Sequence, residues 1–248
     1  MCGRYSLFTP PEELEDCFGA SFTFEFEPRY NAAPSQQLPV ITDAESDAIQ
    51  RLEWGLVPRW ADDCSDGHIN ARAETVDEKP AFADAYESRR CPRERSEGGL
   101  DTPDAGRCLV LADGFYEWAD RGDGKRPYRV AFEDDRPFAM AGLWERWTPD
   151  TLQTGLGSFG DGGDTPDQEP DPIETFTIVT TEPNSVVEPL HHRMAVVLDP
   201  EEETTWLEGE DVLLDPAPAD GFHAYPVSTA VNNPGNDRPA LIEAVEPS

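Results

Sequence analysis

Residues 108–147, CLVLADGFYEWADRGDGKRPYRVAFEDDRPFAMAGLWERW, decide the fold. They hold three apolar runs: CLVLADGFYEW (108–118), YRVAF (128–132) and FAMAGLWERW (138–147). Each is of strand length and carries aromatic or β-branched residues, which pack well on a pleated surface. FTIVTTE (176–182) and HRMAVVL (192–198) read the same way. Helical patterns are fewer: PPEELEDCF (10–18) with Thr9 as its cap candidate, AFADAYESRR (81–90) and EEETTWLEG (201–209). The expectation is an α+β fold, one domain over residues 1–248. Mostly antiparallel strands close a barrel-like sheet around one core, with a few peripheral helices.

Two stretches interrupt that pattern. Residues 91–107 (CPRERSEGGLDTPDAGR) are polar and turn-rich, and 154–172 (TGLGSFGDGGDTPDQEPDP) hold mainly Gly, Asp and Pro. Both are expected to be flexible, solvated insertions. Hydrophobic residues make up 38% of the 248, enough for a sizeable core despite a formal net charge of -32. Only Lys79 and Lys125 among the 19 cationic residues are lysines. Carboxylates spread from Glu12 to Glu246 fit a hydrated surface suited to a salt-rich cytosol. No apolar run approaches the ~18 residues of a membrane span, and MCGRYSLFTP lacks the apolar stretch of a secretory signal. The expected place is the cytoplasm, where structural disulfides among Cys2, Cys17, Cys64, Cys91 and Cys108 are not expected.

Arginines concentrate in the first 146 residues, several beside aromatics: Arg4–Tyr5, Arg29–Tyr30 and Arg59–Trp60. That pairing suits phosphate contact plus base stacking, although most arginines in so acidic a chain are expected to meet carboxylates. Cys2 follows the initiator Met directly. Once Met1 leaves, an α-amine (pKa about 7.7–8.0) and a thiol (about 8.5) sit on adjacent carbons, both reactive near neutrality. An aldehyde condenses with the amine to an imine, and the thiol closes it to a five-membered thiazolidine. An internal cysteine, whose nitrogen is an amide, has no such route.

The chain continues with RYNAAPSQ (29–36), LEWGLVPRWA (52–61), NARAET (70–75), DGFYEW (113–118), HHRMAVVL (191–198) and YPVSTAVNN (225–233). Together with MCGRYSL these resemble the SRAP family, the SOS-response-associated peptidases, whose members crosslink to abasic sites in single-stranded DNA. The resemblance implies that Cys2 forms the thiazolidine and that Asn70 hydrogen-bonds the sugar. It implies acid/base work at the imine for Glu117 and proton transfer on the sugar and its 3′ phosphate for His191. Arg4 and Arg72 would hold the DNA backbone, and Trp54 with Gly55 would form an edge wedged against neighbouring bases. The partner implied is single-stranded DNA with an abasic site, met by a monomer. No cofactor is expected, because the aldehyde is already electrophilic. Ala195 stands where the family motif has proline, which predicts a looser turn after Met194.

Imine formation needs one proton delivered to the carbinolamine oxygen and one taken from the amine, so a carboxyl and an imidazole are the expected pair. Glu117, between Tyr116 and Trp118, has the apolar neighbours that raise a carboxyl pKa. By themselves these residues also fit blander positions: an outward strand glutamate, a core histidine, a turn or cap asparagine. His192 adjoins His191, and motif register alone selects the first as the working imidazole. Two other functions stay open: an N-terminal-nucleophile cysteine peptidase or amidohydrolase with turnover at Cys2, and a noncovalent single-strand binder. The family's peptidase would be the removal of Met1, and a lyase step at the abasic site could accompany capture.

Overall fold

The computed structural model describes residues 2–64, 67–88, 104–122, 124–148 and 171–246. The order is β1 (Tyr5–Leu7), α1 (Pro11–Phe18), β2 (Ser21–Phe22), β3 (Arg29–Ala32), β4 (Gln37–Thr42), β5 (Ala48–Trp54), β6 (Asn70–Arg72), α2 (Ala83–Glu87), β7 (Ala105–Ala112) and β8 (Gly114–Asp120). Then come β9 (Lys125–Phe132), β10 (Phe138–Trp147), β11 (Ile173–Thr181), β12 (Met194–Ala195), α3 (Pro200–Leu207) and β13 (Phe222–Pro226). Strands β5, β4, β7, β10 and β11 pair in succession, all antiparallel. A parallel match of Thr175 with Glu53 and Phe176 with Trp54 returns β11 to β5. The five strands therefore close a barrel, as the apolar runs predict.

Every residue of β7 is buried, because α2 and α3 pack against the strand from outside the barrel. One residue, Asp113, separates β7 from β8, and there the chain passes from the barrel into a second sheet ordered β13-β9-β8-β1-β3. Asp113 is fully buried and braces that passage. It accepts from Ser6 Oγ at 2.7 Å and from the amides of Phe8 and Thr9, while Arg129 donates to its main-chain oxygen at 2.8 Å. Gly114 is required beside it, since a Cβ would stand 2.7 Å from Arg129 Nε.

Several expectations change. Residues 91–103 and 154–170 lie outside the described residues, but Ala105, Gly106 and Arg107 of the first expected insertion begin β7 and are buried. The Arg107 guanidinium lies 4.4 Å from the ring centres of both Tyr86 and Trp206 and donates to Glu210 O at 2.7 Å. A planar, weakly hydrated cation tolerates such a slot, so one polar residue does not mark a solvated loop. Thr9 is not the cap of α1, because its hydroxyl and amide are committed to Asp113. Helix α3 instead starts on a full capping box between Asp199 and Glu202. The HRMAVVL run forms only the two-residue β12, and Ala195 pairs there with Thr180, in a regular ladder rather than a loosened turn.

Candidate active site at the chain's second residue

The last residues of β11 gather two of the sequence motifs. β6 lies parallel to β11, matching Asn70 with Ile178 and Arg72 with Thr180, while β12 sets Ala195 against the same Thr180. NARAET and HHRM therefore dock on one short piece of strand. Arg193 locks them together: its guanidinium pairs with the Glu74 carboxylate and reaches Thr180 O. That pairing holds the Glu74 carboxyl below the usual carboxylate range. Asn184 shapes the loop before the histidines, accepting from Val186 and Val187 amides at 3.1 Å.

The other half of the site comes from the second sheet. β1 pairs with β8 through Tyr5–Phe115 and Ser6–Gly114, and Tyr116 N donates to Arg4 O at 2.9 Å. Continuing that register sets the Cys2–Gly3 peptide beside Glu117. Cys2 is fully buried, and Asn70 Nδ2 donates to its carbonyl at 3.0 Å. The Asn70 Oδ1 is buried and takes no hydrogen bond from any described residue, leaving an acceptor for a ligand hydroxyl. Glu117 Oε2 stands 3.8 Å from His191 Nδ1, with the Glu117 side chain 2% exposed. Cys2, Asn70, Glu117 and His191 thus converge, from four separate segments.

Electrostatics separate their roles. Burial pushes the Glu117 carboxyl up to about 7, against the pull of the chain's amino terminus. Burial first, then the Glu117 charge, pushes the Cys2 thiol up to about 12. Partial burial lowers His191. Near neutrality the cluster therefore holds a thiol, a neutral imidazole and a carboxyl shared between its two forms. Such a set is suited to exchanging protons and holds no standing thiolate. The exposed His192 ring lies 4.2 Å from that of His191, tilted by 35°, and His191 is the ring beside Glu117.

The expected DNA contacts divide. Arg72 is exposed. Arg4 Nη1 donates to Asn31 Oδ1 at 2.9 Å and Val231 O at 2.8 Å, which sets the guanidinium's direction. Trp54 and Gly55 are not at the surface. Trp54 is fully buried, stacks on Phe176 and donates to Ile69 O at 2.9 Å, because its strand turns it into the barrel. Gly55, at φ +138°, lies so close to Gly67 that a Cβ on Gly67 would meet its oxygen at 2.7 Å. The Trp54 bond to Ile69 O holds the residue before Asn70, and the exposed aromatic of the Trp54 segment is Trp60, at 60%. Sequence reasoning also gave Asn31 no role. Its Nδ2 donates to the carbonyls of Val231, Asn233 and Asn236 and so joins RYNAAPSQ to VNN under Arg4. A lone asparagine in a quoted motif was the available signal.

Comparison with known proteins gives the family. A profile of the family described as SOS response associated peptidase (SRAP) matches residues 1–92 and 102–234. The abasic site processing protein YoqW of Bacillus subtilis (strain 168) is 38% identical, over 98% of this chain and all of that one. The abasic site processing protein HMCES of Gallus gallus is 31% identical over 89% of this chain and 67% of its own length. A crystal structure of a protein from Bacteroides thetaiotaomicron shares the fold, with a TM-score of 0.76 and 24% identity over 99% of this chain and all of that one. By these matches, and by its ordered motifs, the chain belongs to the SRAP family.

Proposed function

We propose that this protein captures abasic sites in single-stranded DNA as a thiazolidine on Cys2 after Met1 is removed, shielding the lesion from strand cleavage. The observation that carries the reading is the burial of Cys2, the chain's second residue, among Asn70, Glu117 and His191. The relatives named for abasic site processing support it.

The freed α-amine adds to the aldehyde of the ring-opened sugar, giving a carbinolamine. The carboxylic acid form of Glu117 protonates the leaving hydroxyl, and water departs to leave the imine. The thiol sulfur then bonds to the imine carbon, its proton passing through the Glu117 carboxylate to the nitrogen. Aldehyde plus aminothiol becomes thiazolidine plus water, with no oxidant or cofactor. A carboxyl poised near 7 serves both directions of that relay, and such catalysis contributes roughly 10²–10⁴-fold. The buried Asn70 Oδ1 accepts a sugar hydroxyl, and His191 moves protons at the sugar and its phosphate. Arg4 and Arg72 hold the backbone, and Trp60 replaces Trp54 as the base-stacking aromatic. The working form is a cytoplasmic monomer at high salt, where stacking and the covalent bond retain DNA that a charge of -32 repels.

The test is a denaturing gel of the protein with an oligonucleotide carrying one abasic site, beside Cys2→Ala and an undamaged strand. A shifted band that needs both Cys2 and the lesion is the expected result. Absence of that band, from protein whose mass starts at Cys2, overturns the reading in favour of amide hydrolysis.

A further inference from the structure

Trp60 is the largest exposed apolar side chain among the described residues, yet the backbone on both sides of it is tied down. Leu56 and His68 exchange both main-chain hydrogen bonds, at 3.0 and 2.9 Å. Val57 N donates to Thr175 Oγ1 on β11 at 2.9 Å. Ala61 N donates to Pro58 O at 2.8 Å, which makes 58–61 a β-turn with Trp60 at its third position. Trp147 Nε1 on β10 donates to Ala61 O at 2.8 Å. Beside the ion pair of the Arg59 guanidinium with Asp84, the most costly tie is at the same residue: Glu145 of β10, 1% exposed, accepts the Arg59 N–H at 2.7 Å. Burying a carboxylate to hold one exposed turn stabilises the fold poorly, since an uncharged acceptor would serve without the desolvation cost. The expense makes sense if the turn's position matters. An indole held rigid before a ligand arrives loses little entropy on stacking.

We propose that Glu145 is a positioning residue for DNA capture, fixing the Pro58–Ala61 turn through the Arg59 N–H so that Trp60 stands as a preset stacking platform for a base of the captured strand. This rests on the reading of the protein as a DNA-capturing one. Trp60 and Glu145 have no part in the bond-making at Cys2. The turn leaves the barrel beside the site, since Trp54 packs on Tyr5 and His68 lies two residues before Asn70. A carboxylate also holds an N–H more firmly than a neutral acceptor does. Burial pushes Glu145 up to about 7, with the Arg59 amide and guanidinium drawing it down and Asp84 of α2 pushing it up.

The experiment measures covalent capture against concentration for two aldehydes, an abasic oligonucleotide and 2-deoxyribose 5-phosphate. The sugar phosphate needs Cys2 and its neighbours but no stacking platform. Trp60→Ala is expected to raise the half-saturating oligonucleotide concentration about tenfold, in keeping with one lost base stack, with the maximal rate unchanged. Glu145→Ala is expected to do the same, Glu145→Gln, a neutral and weaker acceptor, to recover only part of the loss, and the double variant to be no worse than Trp60→Ala. Sugar-phosphate capture stays at the wild-type rate throughout. Arg59→Pro, which deletes the donor at a turn position that favours proline, reproduces the defect relative to Arg59→Ala without touching the barrel. An Arg59→Pro variant equal to Arg59→Ala, or a Glu145 effect that adds fully to that of Trp60, overturns the proposal. Wild-type protein that captures neither aldehyde overturns instead the function on which it rests.

Discussion

Strand β8 and the residue before it carry two buried carboxylates four positions apart, and they do opposite things. Asp113 is surrounded by fixed donors: the Ser6 hydroxyl, the Phe8 and Thr9 amides, and Arg129 at 3.3 Å. All belong to the frame, so its proton state is tied to the fold. Glu117 instead lies 3.8 Å from the His191 imidazole, and none of the donors that hold Asp113 surrounds it. Burial raises both carboxyls, so burial alone does not mark a catalytic acid. The mark is whether the surrounding donors are permanent. Breaking that contrast at its structural end should give the largest effect. Asp113→Ala leaves the Arg129 guanidinium, 1% exposed, without its buried counter-charge and opens the hinge between the two sheets. A stability loss of about 3–5 kcal/mol is expected in urea unfolding. A loss below about 1 kcal/mol would mean that Asp135, 2.6 Å from Arg129, is the partner that counts.

At the other carboxylate the expected signs reverse. Glu117→Gln should slow covalent capture about a hundredfold while leaving the fold intact or firmer. The folded pKa of Glu117, about 7, lies above the ordinary carboxyl value of 4.5. Its contribution to stability is therefore fully present below about pH 4.5 and is lost as pH rises through about 7. Above that window the wild type carries a buried charge that the glutamine lacks, a difference of up to about 3 kcal/mol. Melting temperatures of the pair should coincide near pH 4 and separate above pH 7, with the variant higher. Equal melting temperatures at pH 8 would show that Glu117 is as firmly compensated as Asp113.

The contrast also explains what could be read from the sequence. The barrel strands were legible because their apolar runs are dictated by burial, as in FAMAGLWERW, which became β10 over Phe138–Trp147. Cys2 could be singled out because the chemistry open to a second-position cysteine follows from covalent structure, but its burial against Asn70 is visible only in the fold. Arg107 was not: its burial depends on Tyr86 and Trp206, about 20 and 100 positions away, meeting on both its faces. Trp54 was misread for a related reason. Its motif lies beside the site, but the barrel's closure onto Phe176 turns the ring inward. Spacing within a motif carries no information about which side of a closed sheet a residue faces. Asp113 and Glu117 share one short run, DGFYE, and only the donors brought by Ser6, Thr9 and Arg129 tell them apart.

A third carboxylate completes the series. Glu74 is half exposed, its partner Arg193 is 9% exposed, and their pairing joins NARAET to HHRM without touching Cys2. Solvent screens such a pair, so Glu74→Gln should cost no more than about 1 kcal/mol. Because Arg193 lowers the Glu74 pKa, that small contribution is present above the ordinary carboxyl range and disappears as pH falls through the lowered value. Variant and wild type should therefore converge in acid, the reverse of the Glu117 pair. Capture should slow only a few-fold, since His191 loses a brace rather than a proton partner, and 1 M salt should shrink the difference. A slowing as large as that of Glu117→Gln, unaffected by salt, would place Glu74 in the proton relay. The ordering of the three carboxylates by their permanent donors would then fail at its exposed end.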